Sequence, residues 1–328
     1  DRDSYLDWRR SVAACVSGPP VIEFVELENH SRFSDEVLRN LVTIKPGSTL
    51  DVEQLDRDLS RIHALGFIRS ALYRIEETDG KQGVVIEVQS GQRGTEFIET
   101  GLELTGNSRE SKVDIKASYL KSDLDHRGTE FRGAVQLGND QGLLAELYKP
   151  VNDELRWIFR PDIRASRRPL TVFDSSGNSL EEWELEEYSG TLAFGRELGR
   201  HAGLFVSASS YSGNATVQVG DPTQDNFRFK GGEWALSAVF DRLDNRYLPS
   251  SGSFAKLRYI VSDDRLGADS EFEQLEMSLF SAVTRGRHTA WFGTQYNTTL
   301  DNDAPIYGLY TNGGFLSMSG FERDELVG

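Results

Sequence analysis

The sequence has no long apolar run: apolar residues nowhere approach the roughly 18 in succession that a transmembrane helix requires. They form only 38% of the 328 residues, against roughly 45–50% in ordinary soluble domains. No transmembrane helix is therefore predicted. A membrane-spanning strand is not excluded, because it needs only about ten residues with apolar side chains at alternate positions.

Residues that commonly carry chemistry are scarce. The single cysteine, Cys15, cannot form an internal disulfide and has no cysteine partner for a metal site. The five histidines lack metal-binding spacing, and no G-x-S-x-G nucleophile elbow occurs. Carboxylate pairs such as Asp263-Asp264 are chain neighbours in loops or strands, so we interpret them as solvated charges. The sequence predicts no catalytic residues, cofactor or metal site in this chain.

A net charge of −16 disfavours a nucleic-acid partner, because a polyanion would be repelled. The low apolar content leaves two explanations: disorder, or a sheet with one apolar and one polar face. The 10% of aromatic residues and the 31 glycines argue against disorder, since disordered chains are poor in aromatic residues. The sheet is therefore favoured.

Residues 1–18 are interpreted as a helical linker or the tail of a preceding domain. Four side chains recur at helical spacing before Gly18 and two prolines end the helix: Tyr5, Trp8, Val12 and Cys15. A lone helix of this size has nothing in this chain to pack against.

Residues 19–92 are predicted to form an α+β domain with the element order βααββ. The segment VIEFVELEN alternates as a strand, and Ser34 is the candidate N-cap of the first helix. Asp51 followed by Gln54 resembles a capping box at the start of the second helix. Asp79-Gly80 is a hairpin signal between two further strands.

From residue 93 onward the apolar period changes to two, which predicts about eleven antiparallel strands. One example is the strand that carries Trp157, Phe159, Ile163 and Ala165 on one face and Arg160, Asp162 and Arg164 on the other. The segment WELEEY breaks this phase between Leu185 and Tyr188, which predicts a β-bulge there or an incorrect register.

Two features favour an outer-membrane barrel over a soluble all-β protein with one wet face. Tight connections are predicted near 139–141, 198–201 and 285–288, and long polar loops near 167–180, 212–228, 262–270 and from 300 onward. The polar face is charged, as a water-filled lumen allows. Six aromatic residues are expected at the membrane interfaces: Tyr148, Trp157, Trp183, Trp234, Tyr259 and Trp291.

The segment NLVTIKPGSTLDVEQLDRDLSRIHALGFIRSALYRIEE is similar to the POTRA (polypeptide-transport-associated) domain. The resemblance includes that family's step from leucine and glycine to an aromatic residue before the second strand, here Leu65, Gly66 and Phe67. It implies a periplasmic domain that handles unfolded polypeptide.

Two further motifs resemble the surface-antigen barrel family, which joins POTRA domains to a sixteen-strand outer-membrane barrel. The first is the turn DRLDNRYLPSSG, carried by Asp241, Asp244, Asn245, Pro249 and Gly252, which is read as a rigid periplasmic turn. The second is a loop that folds into the barrel lumen, with its tip at Met318, Ser319, Gly320 and Phe321. The family has arginine where Ser319 stands, and Arg323 is the candidate replacement. Residues 93–328 would then form about 11 of 16 strands.

The sequences of four segments resemble, more specifically, those of patatin-like phospholipase autotransporters of type Vd secretion. These segments are LGNDQGLLAELYKP, AFGRELGR, VGDP and GGFLSMSGFERDEL. The resemblance implies an upstream phospholipase passenger, which the POTRA domain guides and the barrel translocates and anchors. Alternatives are an outer-membrane assembly or insertion factor and a soluble all-β binding module.

The resemblance further implies an outer-membrane location, with the POTRA domain in the periplasm. The expected partners are outer-membrane lipids, the protein's own N-terminal passenger and the outer-membrane assembly machinery. An extended client is expected to pair with a sheet edge near 70–77, at Ala71, Tyr73 and Ile75. The sequence predicts that proline at Ala71 or Tyr73 impairs secretion more than it lowers the melting temperature.

Overall fold

The computed structural model describes residues 20–65, 68–91, 95–106, 111–173, 178–220, 225–245, 248–312 and 326–327. Three sequence features lie outside these residues: the helix in 1–18, the step at Gly66 and Phe67, and the loop tip at 318–323. The chain divides into two compact units. The first comprises Asp1–Glu96, Ser122–Thr129 and Asn152–Leu155, and the second comprises Phe97–Lys121, Glu130–Val151 and Arg156–Gly328.

The first unit contains a three-stranded sheet and two helices. In chain order its elements are β1 (Phe24–His30), α1 (Asp35–Leu41), α2 (Val52–His63), β2 (Ile68–Thr78) and β3 (Lys81–Ser90). The predicted order βααββ is therefore confirmed. The strands lie in the order β1-β3-β2, with β1 parallel and β2 antiparallel to β3, so β2 forms one edge of the sheet.

Local signals determine where these elements begin and turn. The Ser34 hydroxyl accepts the N–H of Val37, and the Asp51 carboxylate accepts the N–H of Gln54, as N-caps should. The Gln54 side chain does not follow the capping-box prediction, because its amide donates to Asp58 at 3.0 Å. Within the described residues, neither helix is long and apolar enough to cross a membrane.

Asp58 on α2 is fully buried and holds the segment between the two helices. Its carboxylate accepts the Thr43 N–H at 2.7 Å, the Thr43 hydroxyl at 3.0 Å and the Ile44 N–H at 3.3 Å. Gln54 and Arg61 each donate to it at 3.0 Å. A buried carboxylate is tolerated here because its oxygens have several donors. The apolar core packs around this network and includes Val37, Leu38, Leu55, Ile62, Val84, Ile86 and Val88.

The second unit is built on an antiparallel sheet of eleven strands within the described residues, as predicted. The strands are β4 (Glu96–Gly106), β5 (Ser111–Lys121), β6 (Glu130–Gly138), β7 (Gln141–Pro150), β8 (Trp157–Phe173), β9 (Ser179–Leu198), β10 (Ala202–Val219), β11 (Phe227–Asp241), β12 (Gly252–Ser262), β13 (Glu273–Arg285) and β14 (His288–Asp301). Each strand pairs with its chain neighbours, and β4 and β14 are the two edges, so the sheet is not closed. Two short strands, β15 (Thr311–Asn312) and β16 (Leu326–Val327), pair separately.

The predicted alternation of short and long connections is wrong in part. Segments 167–173 and 212–219 belong to β8 and β10, although a loop was expected at both. The tight turn at 139–140 lies at the opposite end of the sheet from those at 199–201 and 286–287, because successive antiparallel strands reverse direction. The connection at 242–251 is long and lies at the same end as 199–201.

The phase break in WELEEY is not a bulge. Strand β9 pairs with β10 in unbroken register from Leu198 to Trp183, and Leu185 and Tyr188 occupy opposite faces. Leu185 is buried, whereas Tyr188 is 60% exposed. The break arises because the apolar side chains change faces along the strand while the backbone register continues.

Candidate functional site

The exposed edge of β2 is the first candidate site. Ala71 donates its N–H to Nε2 of His63 at 3.2 Å, so this N–H points away from β3. Because outward and inward backbone groups alternate in an antiparallel pair, the backbone groups of Tyr73 and Ile75 also point outward. Ala71 is buried, Tyr73 packs partly against the core, and Ile75 is 48% exposed. The structure thus brings the three predicted residues to one sheet edge.

A charged group spans the sheet face opposite the helices. Arg74 on β2 donates to both carboxylate oxygens of Glu28 on β1, and it also donates to Glu76 at 2.5 Å. Glu87 on the central strand lies 3.7 Å from the guanidinium. The hydrogen bonds from Arg74 lower the pKa of Glu28 below its ordinary value. The arginine therefore links both edge strands across β3.

The eleven-stranded sheet has one apolar face, which is exposed. Directly paired residues share a face, and this face carries Ile163, Leu192, Val206, Leu236, Leu257 and Leu279. Each of these side chains is at least 40% exposed. On β8 the side chains of this face are apolar at every second position from Trp157 to Ala165, and this length matches the roughly 9–11 residues of a tilted transmembrane strand. An exposed apolar band of this height is what a lipid-facing surface requires.

The expectation that six aromatic residues lie at the membrane interfaces is wrong for three of them. Trp157, Trp234 and Tyr259 lie on the apolar face, but the register places Tyr148, Trp183 and Trp291 on the other face. The Tyr148 hydroxyl donates to Glu197 at 2.5 Å, and the Trp291 indole N–H donates to the carbonyl of Pro249 at 2.8 Å. Trp183 is buried in an apolar cluster. These polar partners and the burial explain why the three rings avoid the apolar face.

The polar face carries a network of charged and hydroxyl groups. Arg258 lies 3.6 Å from both Glu233 and Glu276, which are on the strands at either side. The Tyr211 hydroxyl donates to Glu233 at 3.0 Å, and the Tyr310 hydroxyl donates to Glu276 at 3.5 Å. Partly buried charges of this kind need partners and water, which a wet interior provides.

At one end of β8–β11 the polar face becomes apolar and is covered. The end cluster consists of Leu170, Trp183, Leu185, Ala215 and Phe229. Ile306 and Tyr307, in the segment after β14, pack against it. The ring of Tyr307 stacks on Phe229 with centroids 4.4 Å apart, and Gln274 donates to the carbonyl of Gly308 at 2.8 Å. This cover explains why the strands continue past the apolar band.

The turn between β11 and β12 is held by the residues that the sequence singles out. The Asp241 carboxylate accepts the N–H of Leu243, and the Asn245 carboxamide oxygen accepts the N–H of Leu248, each at 3.0 Å. Gly252 has a φ of +105°, and a Cβ there would meet the backbone of Arg242 at 2.0 Å. The turn motif is therefore a rigid backbone structure, with glycine required at its last position.

Protonation of Asp244 is expected to loosen this turn in acid. The Ser250 hydroxyl and the N–H groups of Ser250 and Ser251 donate to its carboxylate and lower its pKa from 3.8 to about 2. Because the folded-state pKa is the lower one, the stabilisation is complete above about pH 4 and disappears as the pH falls through about 2. Amide chemical shifts of Ser250 and Ser251 in the full-length protein should report this titration. Asp244→Asn should remove it, and an unchanged titration in that variant would refute the assignment.

One group of carboxylates has the spacing of metal ligands. The ligand oxygens of Asp263, Asp264 and Glu271 lie within 4.8 Å of one another. Asp263 already accepts the N–H of Arg265 at 2.9 Å, and the other two residues are exposed. Exposed acidic groups are common in loops, and nothing else here indicates a cation.

Comparison with known families accounts for both units. Residues 20–91 match the POTRA family, described as a surface antigen variable number repeat, and residues 123–327 match the Omp85 superfamily domain. The chain belongs to the Omp85 superfamily. Proteins of this superfamily are outer-membrane β-barrels with periplasmic POTRA domains. The broader resemblance predicted from the sequence is confirmed, whereas the autotransporter subtype stays a prediction.

Solved structures show the same fold at low sequence identity. BamA from Haemophilus ducreyi lacking POTRA domains 1–3 is 15% identical, with a TM-score of 0.66 over 92% of this chain and 60% of that chain. CdiB from Acinetobacter baumannii is 12% identical, with a TM-score of 0.56 over 94% and 58%. CdiB from Escherichia coli is 11% identical, with a TM-score of 0.59 over 92% and 59%. This Omp85 chain thus spans about three fifths of each. A search of curated proteins gave no match.

Two structural features were not predictable from the sequence. His63 contacts the β2 edge, and Ile306 and Tyr307 cover the end cluster of this Omp85 chain. No motif marks either one: a single histidine in a last helical turn is ordinary, and an aromatic residue in a polar loop has no periodic partner.

Proposed function

We propose that this Omp85 chain translocates and anchors a patatin-like phospholipase passenger at the outer membrane, with its POTRA domain in the periplasm. Membership in a superfamily of outer-membrane transporters and insertases supports the transport role. The subtype rests on the four segments quoted above, such as LGNDQGLLAELYKP. The catalytic residues would belong to the passenger, with residues 1–18 as its tail or linker. Partners would be outer-membrane lipids, the passenger and the assembly machinery.

The proposed step is strand addition at the β2 edge, and the outward backbone groups of this edge are the observation that carries it. An extended passenger segment would bind them through main-chain hydrogen bonds, which accept almost any sequence. The N–H of Ile75 points away from β3, and its side chain is 48% exposed. Such a site can guide an unfolded chain without recognising a motif.

Ile75→Pro is expected to reduce passenger secretion about five- to tenfold, because proline removes an outward N–H and its ring hinders an added strand. The melting temperature should fall by only a few degrees, because the N–H that proline replaces does not bond to β3. Ala71 is a poorer test position, since its N–H already bonds to His63. Surface display of the passenger and thermal unfolding of the full-length protein measure the two effects.

Ile75→Thr is the matched control, because it removes the apolar side chain and keeps the N–H. It should secrete normally. If Ile75→Pro lowers secretion only as far as its loss of folded protein accounts for, strand addition is rejected. If Ile75→Thr lowers secretion as much as Ile75→Pro does, the effect belongs to the side chain and not to the backbone N–H.

The sequence encoded upstream of this segment in the parent gene distinguishes the autotransporter subtype from an outer-membrane assembly factor. A G-x-S-x-G elbow upstream of residue 1 would support the phospholipase passenger. Repeated βααββ units upstream, without a passenger, would support an outer-membrane insertion factor. A protein extracted by buffer without detergent would instead be a soluble all-β binding module.

A further inference from the structure

His63 occupies a backbone group that an added strand would use. It is the last residue of α2, and its Nε2 accepts the outward N–H of Ala71 at 3.2 Å. The histidine side chain is exposed, so it is not fixed there by burial. The contact therefore places a removable side chain over one position of the sheet edge.

A second feature lies at the same end of the strand. The register of β2 against β3 shifts between Ile68 and Ser70, which marks a bulge or irregularity. Bulges twist an edge strand and are a common protection against pairing with another chain. The irregularity and the histidine together obstruct the edge from Ile68 to Ala71.

Beyond Ala71 the edge is regular. The β2–β3 register continues without a shift to Thr78, which places outward N–H groups at Ile75 and Glu77. Both residues are exposed. Leu72, which is 62% exposed, lies next to the obstructed position. A strand that reached Ala71 would thus gain an apolar neighbour, but only after His63 had left.

We propose that His63 sets the start of the client site on β2. An extended polypeptide segment pairs first with the backbone at Ile75 and Glu77, and it extends to Ala71 only when the imidazole moves away. His63 is a positioning residue in this scheme, since it selects the length and register of the added strand. The inference rests on the proposed strand addition.

Site-specific photo-cross-linking in the full-length, secreting protein tests this. A benzoylphenylalanine at Arg69 reports the obstructed part of the edge, and one at Glu77 reports the regular part; both positions are exposed. With His63 present, the passenger should cross-link mainly at Glu77. In His63→Leu the Arg69 cross-link should rise about fivefold, as the loss of one net hydrogen bond would give. His63→Gln retains an acceptor oxygen and should behave like the unsubstituted protein.

The possible outcomes distinguish the role of His63 from the strand addition on which it rests. If His63→Leu leaves the ratio of the two cross-links unchanged while the Glu77 cross-link persists, the role of His63 is refuted and the client site stands. An equal rise in the leucine and glutamine variants also refutes it. Absence of passenger cross-links at both positions in the unsubstituted protein would reject strand addition itself. The Glu77 cross-link in each variant also shows that the unit has folded.

Discussion

Replacing Asp58 with alanine is expected to lower the free energy of unfolding of the first compact unit by about 3–5 kcal/mol. The substitution leaves the partly buried N–H of Thr43 and the buried N–H of Ile44 without their acceptor, and Arg61 loses its partner. Hydrogen exchange of the β3 segment 81–90 in the full-length protein measures the effect, because β3 is the central strand and lines the core.

Glu53→Ala is the control on the same helix. Glu53 is 80% exposed and lies 4.0 Å from Arg57, so its loss should change the unfolding free energy by less than about 0.5 kcal/mol. If the amide hydrogens of residues 81–90 exchange at the same rate in both variants, the Asp58 network does not stabilise the packing of the two helices. If Asp58→Ala unfolds as expected, secretion should also fail, because the β2 edge loses its support.

Features that depend on neighbouring residues were predictable from the sequence. The caps at Ser34 and Asp51 involve residues three positions apart, and each is present. Asp79-Gly80 forms the predicted hairpin turn, with positive φ at both residues. These signals act within a few residues, so tertiary structure has little opportunity to override them.

Contacts between distant segments were not predictable. An alternating strand shows that two faces differ, but it does not show which face another segment will cover. The apolar side chains of Trp183 and Leu185 break the predicted alternation because they lie in a cluster that Ile306 and Tyr307, far along the chain, help to cover. The Ala71 N–H likewise meets His63 only once α2 and β2 have packed.

Aromatic side chains illustrate the same limit. Trp157 and Trp291 both lie in alternating strands, and composition alone places both at the membrane interface. The Trp291 indole N–H instead bonds to the carbonyl of Pro249, in a turn that ends long before β14 begins. Whether a tryptophan faces lipid or the interior therefore depends on where its N–H finds an acceptor.

Leu192→Lys is expected to impair assembly of this Omp85 protein in the outer membrane, at a cost of about 2–4 kcal/mol for a cation near the middle of a lipid-facing strand. Leu192 is 59% exposed, and the register places it opposite Ala208 and Pro161 on the apolar face. The yield of heat-modifiable protein in outer-membrane fractions, measured with the full-length protein, should fall strongly.

Thr191→Lys tests the adjacent position, whose side chain points to the other face. Thr191 pairs with Asp162 and Ser209, so a lysine there meets a carboxylate in a polar environment. It loses the hydrogen bonds that the Thr191 hydroxyl makes with Ser209 and with the Asp162 carboxylate, but the lysine ammonium can pair with that carboxylate, so the variant should assemble at nearly the normal yield. Because the two variants add the same charge at the same height, equal yields would mean that the apolar face does not contact lipid, and a soluble all-β protein would become the better interpretation. A large difference would require lipid on one face of β9 and water on the other.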